Sequence, residues 1–463
     1  MLKFLRLILL IPFLISCGCS DNNTSVTEPT TDDTVDDTPD PVYTDAELLD
    51  RVQQESFKYF WDYAESNSKL ARERYHTDEP SVDEHLVTTG GSGFGLMTIL
   101  VGIERGFVPR AEAVARLNTA LTFLENADRF HGAWSHWIDG NTGNVVPFGT
   151  ADNGGDLVET SFMCQALICV REYFKNGTTE EQALATKADE LWKGVDWQWY
   201  TRGGQNALWW HWSPTNTEQI DFKLEGYNEC LITYIMGASS PTHPVQAAAY
   251  HEGWARSGAI VSAATKYGLP VVFNYNGANG NVGPMFWSHY SYLGLNPTGL
   301  TDQYADYWTL TQNHAKIMYQ YCVANPHQYA GYAENSWGLT ASYSRNSNGS
   351  TGYSAHSPTN DLGVISPTAA LSSFPYTPTE SMAALHHFYE DTSLNLIGVA
   401  GPYDAFSPQH NWRTPRYLAI DQGTIAPMVE NYRSGMLWNL FMNAPEVQTG
   451  LQNLGFHSTT YGF

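Results

Sequence analysis

The sequence predicts an all-α fold in which helical hairpins close into a ring, an (α/α)6 barrel. Helical periodicity recurs along the whole chain with few strand signals, and about a dozen helices can be placed. Beyond residue 45 no second linker and no change of composition divides the chain, so one large closed architecture is favoured over two domains. A ring has a concave end, and the long aromatic and Gly-rich loops are expected to line it.

The helices are predicted from apolar residues at three- and four-residue spacing and from the glycine and proline breaks between them. The predicted ranges are 45–65, 93–104, 109–128, 157–170, 180–200, 224–236, 243–267 with breaks at glycines, 302–323, 378–389 and 424–441. Breaks such as Arg105-Gly106 join neighbouring helices, which favours hairpins.

The first 44 residues are predicted to lie outside the fold. Residues 1–19 combine a basic start, a short apolar run and Leu14-Ile15-Ser16-Cys17, which resembles a bacterial lipobox. This run is too short to span a membrane. Cys17 is therefore the predicted lipidation site, residues 20–44 are a disordered Asp-, Thr- and Pro-rich tether, and residues 45–463 are a single catalytic domain. The mature protein is expected outside the cytoplasm, in the periplasm or at the cell surface, anchored to the outer membrane by its lipid.

The composition excludes several partners and cofactors. The chain has 24 Lys+Arg against 48 Asp+Glu, a net charge of -24, and shows no basic patch, so no nucleic acid is expected to bind. It contains neither Cys-x-x-Cys nor His-Glu-x-x-His spacing, and neither a Gly-x-Ser-x-Gly elbow nor a Walker loop, so no metal and no cofactor are expected. A monomer is expected. The 15 Trp and 27 Tyr suit stacking on sugar faces.

Three carboxylates, Asp152, Asp156 and Glu159, stand at the start of one predicted helix. One interpretation is a capping box of Asp156 with Glu159, which stabilises a helix by about 1 kcal/mol and does no chemistry. A capping box does not need Asp152, which lies on a Gly-rich loop. Three acids together therefore favour a polar pocket floor.

Other candidate residues lie in loops or at helix starts. A predicted hairpin around Asp139-Gly140 presents Trp134, His136 and Trp137. Further acids and polar or aromatic residues in such positions are Trp210, Glu225, Asn228, Glu229, Glu334, Trp337, Asp404, Asp421 and Glu430. For Glu225 and Glu229 the alternative is that they only complement a helix dipole.

The combination of motifs resembles the bacterial glucoamylase-like domain, and within it glycoside hydrolase family 144. The motifs lie at residues 89–96, 102–106, 134–143, 152–159, 225–229, 240–244, 419–423 and 430–435. The resemblance extends from about residue 45 to the C-terminus. It implies an (α/α)6 barrel that cleaves β-1,2-glucan. Some members of the family are endo-acting, and others release sophorose from chain ends.

The same resemblance implies roles for individual residues. Glu229 matches the general acid and Asp421 the base of an inverting mechanism, and Asp152, Asp156 and Glu159 shape sugar subsites. Glycoside cleavage needs one protonated and one ionised carboxyl, which a pocket achieves by burying one acid near aromatics. Glu229 follows the Trp209–Trp212 cluster, whereas Asp421 is expected in a polar turn.

The sequence leaves two alternatives open. A non-catalytic surface glycan-binding lipoprotein would show the same aromatic residues but would not need the Glu229/Asp421 pair. A glucoamylase-like hydrolase could also act on another glucan linkage, because fold does not fix function. Endo or exo action depends on whether loops such as residues 343–359 block one end of the cleft.

Overall fold

The computed structural model of the protein describes residues 41–463, in which twelve α-helices carry most of the regular structure. They are α1 (Asp45–Trp61), α2 (Thr89–Glu104), α3 (Arg110–Asn126), α4 (Leu157–Phe174), α5 (Thr179–Lys193), α6 (Leu231–Ser239), α7 (Tyr307–Ala324), α8 (Pro367–Leu371), α9 (Pro378–Glu390), α10 (Ala419–Arg433), α11 (Met436–Met442) and α12 (Pro445–Asn453). Across residues 41–463 no helix is both long and apolar enough to cross a membrane.

The strands of the described part are short and form small separate sheets of two or three strands. They are β1 (Arg74–His76), β2 (Leu86–Thr88), β3 (Arg129–Phe130), β4 (Ala133–Trp134), β5 (Trp137–Asp139), β6 (Val145–Val146), β7 (Gly155–Asp156), β8 (His211–Trp212), β9 (Thr265–Lys266), β10 (Leu269–Pro270), β11 (Leu300–Thr301), β12 (Ala341–Arg345), β13 (Thr351–Ala355), β14 (Ile397–Gly398), β15 (Gly401–Pro402), β16 (Phe406–Ser407), β17 (Trp412–Arg413), β18 (Arg416–Leu418) and β19 (His457–Ser458). The largest sheet orders β2, β5 and β6 antiparallel, which confirms the hairpin predicted around Asp139-Gly140.

The helices form an inner and an outer layer. Helices α2, α4 and α6 are buried around nearly their whole circumference, whereas α1, α3 and α5 bury one face only. A helix that is apolar all round belongs inside, and an amphipathic helix belongs at the surface. Inner helix α2 packs against α4 and α10, and α4 packs in turn against α5 and α6. The predicted helical ring is confirmed as a fold class, while the count of six hairpins stays a prediction.

Glycines allow the inner helices to approach closely. Helix α2 begins at Thr89, four residues before the predicted start, and includes Gly90, Gly91 and Gly93. A β-carbon at position 93 would lie 2.8 Å from the backbone of Met163 in α4. Glycine costs a helix about 1 kcal/mol relative to alanine. The close packing of α2 on α4 offsets that cost, and this is why a glycine run that looks like a loop folds as a helix.

Helices α1 and α10, from opposite ends of the chain, meet and close the ring. Helix α1 packs against α10, and β1 pairs antiparallel with β18. Within this contact Gln53 of α1 donates to Glu430 Oε2 over 3.0 Å. Glu430, expected in the sugar site, lies at the far end of α10 from Asp421 and binds the Arg105 guanidinium through both oxygens, at 2.6 and 2.7 Å. That expectation was wrong, because Glu430 is 1% exposed and its oxygens are used in structural bonds.

Replacing Arg105 with Met is expected to destabilise the fold without touching the active cavity. Burial alone would raise the pKa of Glu430, but the hydrogen bonds from Arg105, Ser434 and Gln53 outweigh it and lower that pKa. Without its guanidinium partner the buried carboxylate keeps only the neutral donors Gln53 and Ser434, which costs about 3–5 kcal/mol of unfolding free energy. Urea unfolding at pH 7 measures the loss. The matched surface variant Lys187→Met, which breaks a 3.7 Å pair with Glu125, is expected to change it by less than about 1 kcal/mol.

Several predicted helices differ in extent from the structure. Residues 243–267 form a π-helical segment at Ala249–Trp254 and a short 3-10 turn instead of a long helix, since Ser257 and Gly258 take positive φ. The helix predicted from 224 begins only at Leu231. The last predicted helix divides into α10 and α11 at Gly435, whose φ is +70°.

The predicted boundary of the fold at residue 45 lies two residues too late. Tyr43 donates its backbone N–H to Glu390 over 2.9 Å, and the Thr44 side chain caps α1 in a capping box with Glu47. These two residues therefore belong to the fold. The signal peptide at residues 1–19, the lipidation site Cys17 and the tether up to residue 40 lie outside the described residues.

Candidate active site

A cavity of about 420 Å³ lies where the inner helices begin. Thr88 precedes α2, Glu159 is in the first turn of α4, Glu229 stands two residues before α6, and Ile420 is in the first turn of α10; all four line the cavity. The N-terminus of a helix carries a partial positive charge. The fold therefore gathers several acids at the end where helix dipoles favour their ionised form.

Aromatic residues form the walls of the cavity. Those lining it are Trp137, Phe148, Phe162, Trp210, Phe286, Tyr290, Tyr343 and Tyr353. Tyr343 and Tyr353 are cross-strand partners in the β12–β13 hairpin, within the segment 343–359 on which endo or exo action was expected to depend. This hairpin forms one side of the cavity, and Tyr353 remains 56% exposed. The cavity can thus receive the apolar faces of pyranose rings.

Glu229 has the properties of a proton donor. Its carboxyl lines the cavity. Burial raises the pKa of Glu229 to about 7, and the negative charges of Glu159 and Asp156 add to the rise. A carboxyl of ordinary pKa would be ionised at neutral pH, whereas this one retains its proton into that range.

The capping-box interpretation is right for Asp156 and wrong for Glu159. Asp156 Oδ1 accepts the N–H groups of Val158 and Glu159 at 3.0 and 2.9 Å, as an N-cap does. Glu159 Oε2 instead accepts the N–H of Gly90 at 2.7 Å, and the Glu159 side chain lines the cavity. Burial raises the pKa of Glu159 to about 7. Only the first of the two acids is therefore used up in capping.

Two histidines lie against Asp152 and Asp156, the acids predicted to form a pocket floor. His136 Nδ1 donates to Asp156 Oδ2 over 3.1 Å, and His211 Nε2 lies 3.5 Å from Asp152 Oδ2. Burial alone would lower the pKa of His136, but the surrounding carboxylates raise it to about 9. Burial lowers the pKa of His211 to about 4 and raises that of Asp152 to about 7. The floor therefore holds one imidazolium beside the ionised Asp156, whose pKa is lowered by the His136 hydrogen bond against the effect of burial.

One group of side chains in the described part could hold a metal ion. His136, Asp152 and Asp156 each offer a ligand atom, and these atoms lie within 4.8 Å of one another. Metal binding requires a neutral imidazole. Because the acids raise the pKa of His136 to about 9, the imidazolium itself supplies the positive charge. The arrangement thus favours a protonated ion pair.

Asp421 lies beside the cavity, in the first turn of α10 and not in the predicted polar turn. It is 3% exposed, and its Oδ1 accepts the Tyr290 hydroxyl at 3.4 Å. Tyr290 lines the cavity. One phenolic hydroxyl therefore stands between Asp421 and the space where a sugar would bind.

Asp404 was expected to contact sugar, but the structure buries it behind Asp421. It is 4% exposed, does not line the cavity, and its Oδ2 accepts the Tyr343 N–H at 2.7 Å. Burial raises the pKa of Asp404 to about 7. The pKa of Asp421 is raised well above its ordinary value, first by burial and then by the charge of Asp404 and their mutual hydrogen bond. The two carboxyls thus share a proton.

Asp404→Asn is expected to move the acid limb of the pH profile to lower pH. The raised pKa of Asp421 means that its ionised form is lost as pH falls through that value. An amide at position 404 carries no charge and can still accept the Tyr343 N–H, so the pKa of Asp421 falls and its ionised form persists to lower pH. Rates measured from pH 4 to 8 give this limb. An unchanged limb would contradict the shared proton.

The comparisons with known proteins bear on this site. A family model described as "putative glucoamylase" matches residues 221–445, which include Glu229, Asp404 and Asp421. An endo-β-1,2-glucanase from Chitinophaga pinensis, solved with sophorotriose and glucose, is 55% identical to this chain. Its structure matches with a TM-score of 0.87 over 90% of this chain and 99% of its own. The chain belongs to glycoside hydrolase family 144.

Two further proteins are similar to this family 144 chain, one in sequence and one in fold. An exo-β-1,2-glucooligosaccharide sophorohydrolase (non-reducing end) from Parabacteroides distasonis is 43% identical over 432 residues. That match includes 89% of this chain, which spans only 58% of the length of the relative. An endo-β-1,2-glucanase from Talaromyces funiculosus, solved with β-1,2-glucan, is 11% identical with a TM-score of 0.63 over 89% of this chain and 91% of its own. That likeness concerns the fold alone.

Several residues expected at the family 144 site lie elsewhere. Trp134 and Trp337 are fully buried, and their indole N–H groups donate to the backbone oxygens of Leu124 and Glu380. These two indoles belong to the core and were wrongly expected to touch sugar. Glu334 lies in an exposed loop and is not among the cavity residues.

Two candidates just before Glu229 do not line the cavity. Glu225 is exposed and pairs with Lys223 at 3.1 Å. Asn228 is 5% exposed and uses its side-chain oxygen to accept the N–H of Cys230 at 3.0 Å. Of the three candidates in residues 225–229, only Glu229 reaches the cavity.

The sequence interpretation missed other lining residues. Glu73 and Arg74, which bind one another through a hydrogen bond, line the cavity beside α10, and Arg74 lies over the Trp137 ring at 5.5 Å. Burial raises the pKa of Glu73. Tyr290 was missed as well. Nothing in the local sequence distinguishes these residues from the many other acids and tyrosines, since pairing of β1 with β18 brings the first pair to the site.

Proposed function

We propose that this chain is an endo-acting β-1,2-glucanase with an inverting mechanism. The proposal rests on two acids at one aromatic cavity: Glu229, which is protonated, and Asp421, which the Tyr290 hydroxyl separates from the cavity. The chain that carries them is 55% identical to an endo-β-1,2-glucanase. That relative is matched over 99% of its length, whereas the exo-acting relative is much longer than this chain. The endo assignment follows the more similar, co-extensive relative.

The proton of the leaving group comes from Glu229. As the bond between the anomeric carbon and the glycosidic oxygen breaks, the carboxyl of Glu229 donates its proton to that oxygen. A raised pKa keeps this proton on the acid near neutral pH. Activity should accordingly decline as pH rises through about 7, since Glu229 then loses its proton.

Water supplies the incoming oxygen. Tyr290 accepts a proton from the attacking water while its own hydroxyl proton passes to Asp421, to which it already donates at 3.4 Å. A new bond forms between the water oxygen and the anomeric carbon, and Asp421 ends protonated. Because Tyr290 stands between Asp421 and the cavity, the carboxylate does not itself attack the carbon. A water attack gives inversion.

The remaining acids and aromatics hold the substrate. The imidazolium of His136, held in place by ionised Asp156, and the carboxyl of Glu159 offer charge-assisted hydrogen bonds to sugar hydroxyls. Trp137 and Trp210 provide flat surfaces for the sugar rings. We further propose, from residues 1–19 alone, that the protein is a lipoprotein held outside the cytoplasm through Cys17.

Product analysis over time tests the proposal. Residues 41–463, incubated with linear β-1,2-glucan, should release a range of oligosaccharides from the earliest samples, and proton NMR should show the α-anomer first. Sophorose alone from the start would mean exo action. An initial β-anomer would refute inversion, and no cleavage of this glucan would refute the proposed substrate.

A further inference from the structure

A second aromatic depression lies apart from the active cavity. It measures about 460 Å³ and is called here the indole groove, lined among others by Asp196, Trp199, Arg202, Trp209, Trp212 and Glu218. The groove and the active cavity have no lining residue in common. The mechanism above therefore uses none of its side chains.

Trp199 gives the groove a fixed and accessible indole. It is the most exposed tryptophan of residues 41–463, at 45%. One face of its ring stacks on His131, with centroids 3.6 Å apart and planes 11° apart. Trp212 meets the same ring edge-on at 6.2 Å. His131 covers one face of the Trp199 indole, so the exposed area lies on the remainder of that ring. The contacts with His131 and Trp212 hold the indole in one orientation.

The turn that carries Trp199 is also held in place. Asp196 accepts the Trp199 N–H through its side chain at 3.1 Å. The next residues turn back sharply, with φ of +51° at Arg202 and +83° at Gly203. Burial lowers the pKa of His131, so the ring beneath the indole is neutral at pH 7. A ligand that stacks here need not order the side chain, which limits the entropic cost of binding.

The polar groups of the groove favour a neutral, hydroxyl-rich ligand. Asp196 and Glu218 offer carboxylate oxygens, and Arg202 lies over the Trp209 ring at 5.0 Å. Such acids accept hydrogen bonds from sugar hydroxyls but repel anions. His211 also lines the groove, and its buried Nδ1 lacks a hydrogen-bond partner among residues 41–463.

The groove is close to the chemistry without being part of it. His211 contributes to the groove, while its Nε2 lies 3.5 Å from Asp152 of the active floor. Its neighbour Trp210 lines the active cavity. Residues 209–212 thus contribute side chains both to the groove and, through Trp210, to the active cavity. A long chain molecule held in the groove would remain near the cavity.

We propose that the indole groove is a second, non-catalytic binding site for the glucan polymer, in which Trp199 stacks on a glucosyl ring. This inference rests on the proposed β-1,2-glucanase function. The groove then raises the affinity for polymer through a second attachment, while a short oligosaccharide that fills only the active cavity gains nothing from it.

Binding measured without turnover tests the groove. In the Glu229→Gln background, isothermal titration with linear β-1,2-glucan should show roughly five- to tenfold weaker binding when Trp199→Ala is added, the loss expected for one aromatic stacking partner. Trp199→Phe should recover part of it. Tyr432→Ala, at a 42% exposed ring on α10, is the matched control and should leave affinity unchanged.

Steady-state rates separate the two proposals. With Glu229 intact, Trp199→Ala should raise KM for polymer and leave kcat/KM for a short β-1,2-glucooligosaccharide at the wild-type value. Equal polymer affinity with and without Trp199 would overturn the groove and leave the catalytic proposal standing. A wild-type enzyme that does not cleave β-1,2-glucan would overturn the proposed function. In that case, absence of polymer binding to the Glu229→Gln protein would overturn the groove as well.

Discussion

Glu229→Gln should reduce kcat on β-1,2-glucan by about 10²–10⁴-fold, the usual contribution of a general acid, while KM changes little. The amide keeps the size of the side chain but has no proton to give to the leaving oxygen. The alkaline limb of the pH profile near 7, which reports the ionisation of Glu229, should disappear with it. Initial rates of reducing-end release between pH 4 and 9 measure both effects.

The leaving group provides a sharper test of this role. The dinitrophenolate of a dinitrophenyl β-sophoroside leaves without protonation. Glu229→Gln should therefore lose far less activity on this substrate than on glucan. Glu225→Gln is the matched control, because Glu225 lies four residues earlier, is exposed and pairs with Lys223 instead of lining the cavity. A Glu229→Gln enzyme that retains a tenth of wild-type activity on glucan would exclude the assignment.

Asp421→Asn should produce a loss of similar size, about 10²–10⁴-fold in kcat. The amide cannot take the water proton that Tyr290 passes on. Loss of a proton acceptor affects every substrate equally, so the activated sophoroside should not restore the rate. This difference between the two substrates distinguishes the base variant from the acid variant, and it can be read from kcat alone.

Tyr290→Phe tests the path between water and Asp421. It should lower kcat by less than Asp421→Asn, because a water molecule can partly replace the lost hydroxyl. Tyr343→Phe is the control: this ring also lines the cavity, but its hydroxyl binds His76 at 2.8 Å. Wild-type kcat in Tyr290→Phe would exclude the relay. A fall in Tyr343→Phe equal to that in Tyr290→Phe would show a general loss of packing instead.

Acids at helix starts were predictable from local sequence, and their partners were not. Asp156 has the spacing of an N-cap, and Glu229 precedes an apolar helix, so both could be placed beforehand. Whether Glu159 turns towards its own cap or towards Gly90 depends on how closely α2 packs on α4. That distance is a tertiary property, so the capping alternative could not be resolved from residues 156–159 alone.

Aromatic residues were the least predictable part of the site. Trp134 in β4 and Trp137 in β5 lie three residues apart, yet the first is fully buried and the second lines the cavity. Strand alternation alone does not say which face of so short a sheet meets the core. Tyr290 reaches the cavity from a 3-10 turn without regular periodicity. That such a side chain lines the cavity can be determined only from the tertiary structure.

The contact of α1 with α10 has a consequence for the order of events during synthesis. Gln53 and Glu430 are 377 positions apart, and Glu73 likewise meets the start of α10 only through the pairing of β1 with β18. At ribosomal rates of 5–20 residues per second, roughly 20–75 s separate the emergence of the two partners. Throughout this interval the part of α1 that packs on α10 has no native cover, although its contacts with α2 can already form. The catalytic cavity can therefore form only late, after nearly the whole chain has left the ribosome, and an unfinished chain is inactive.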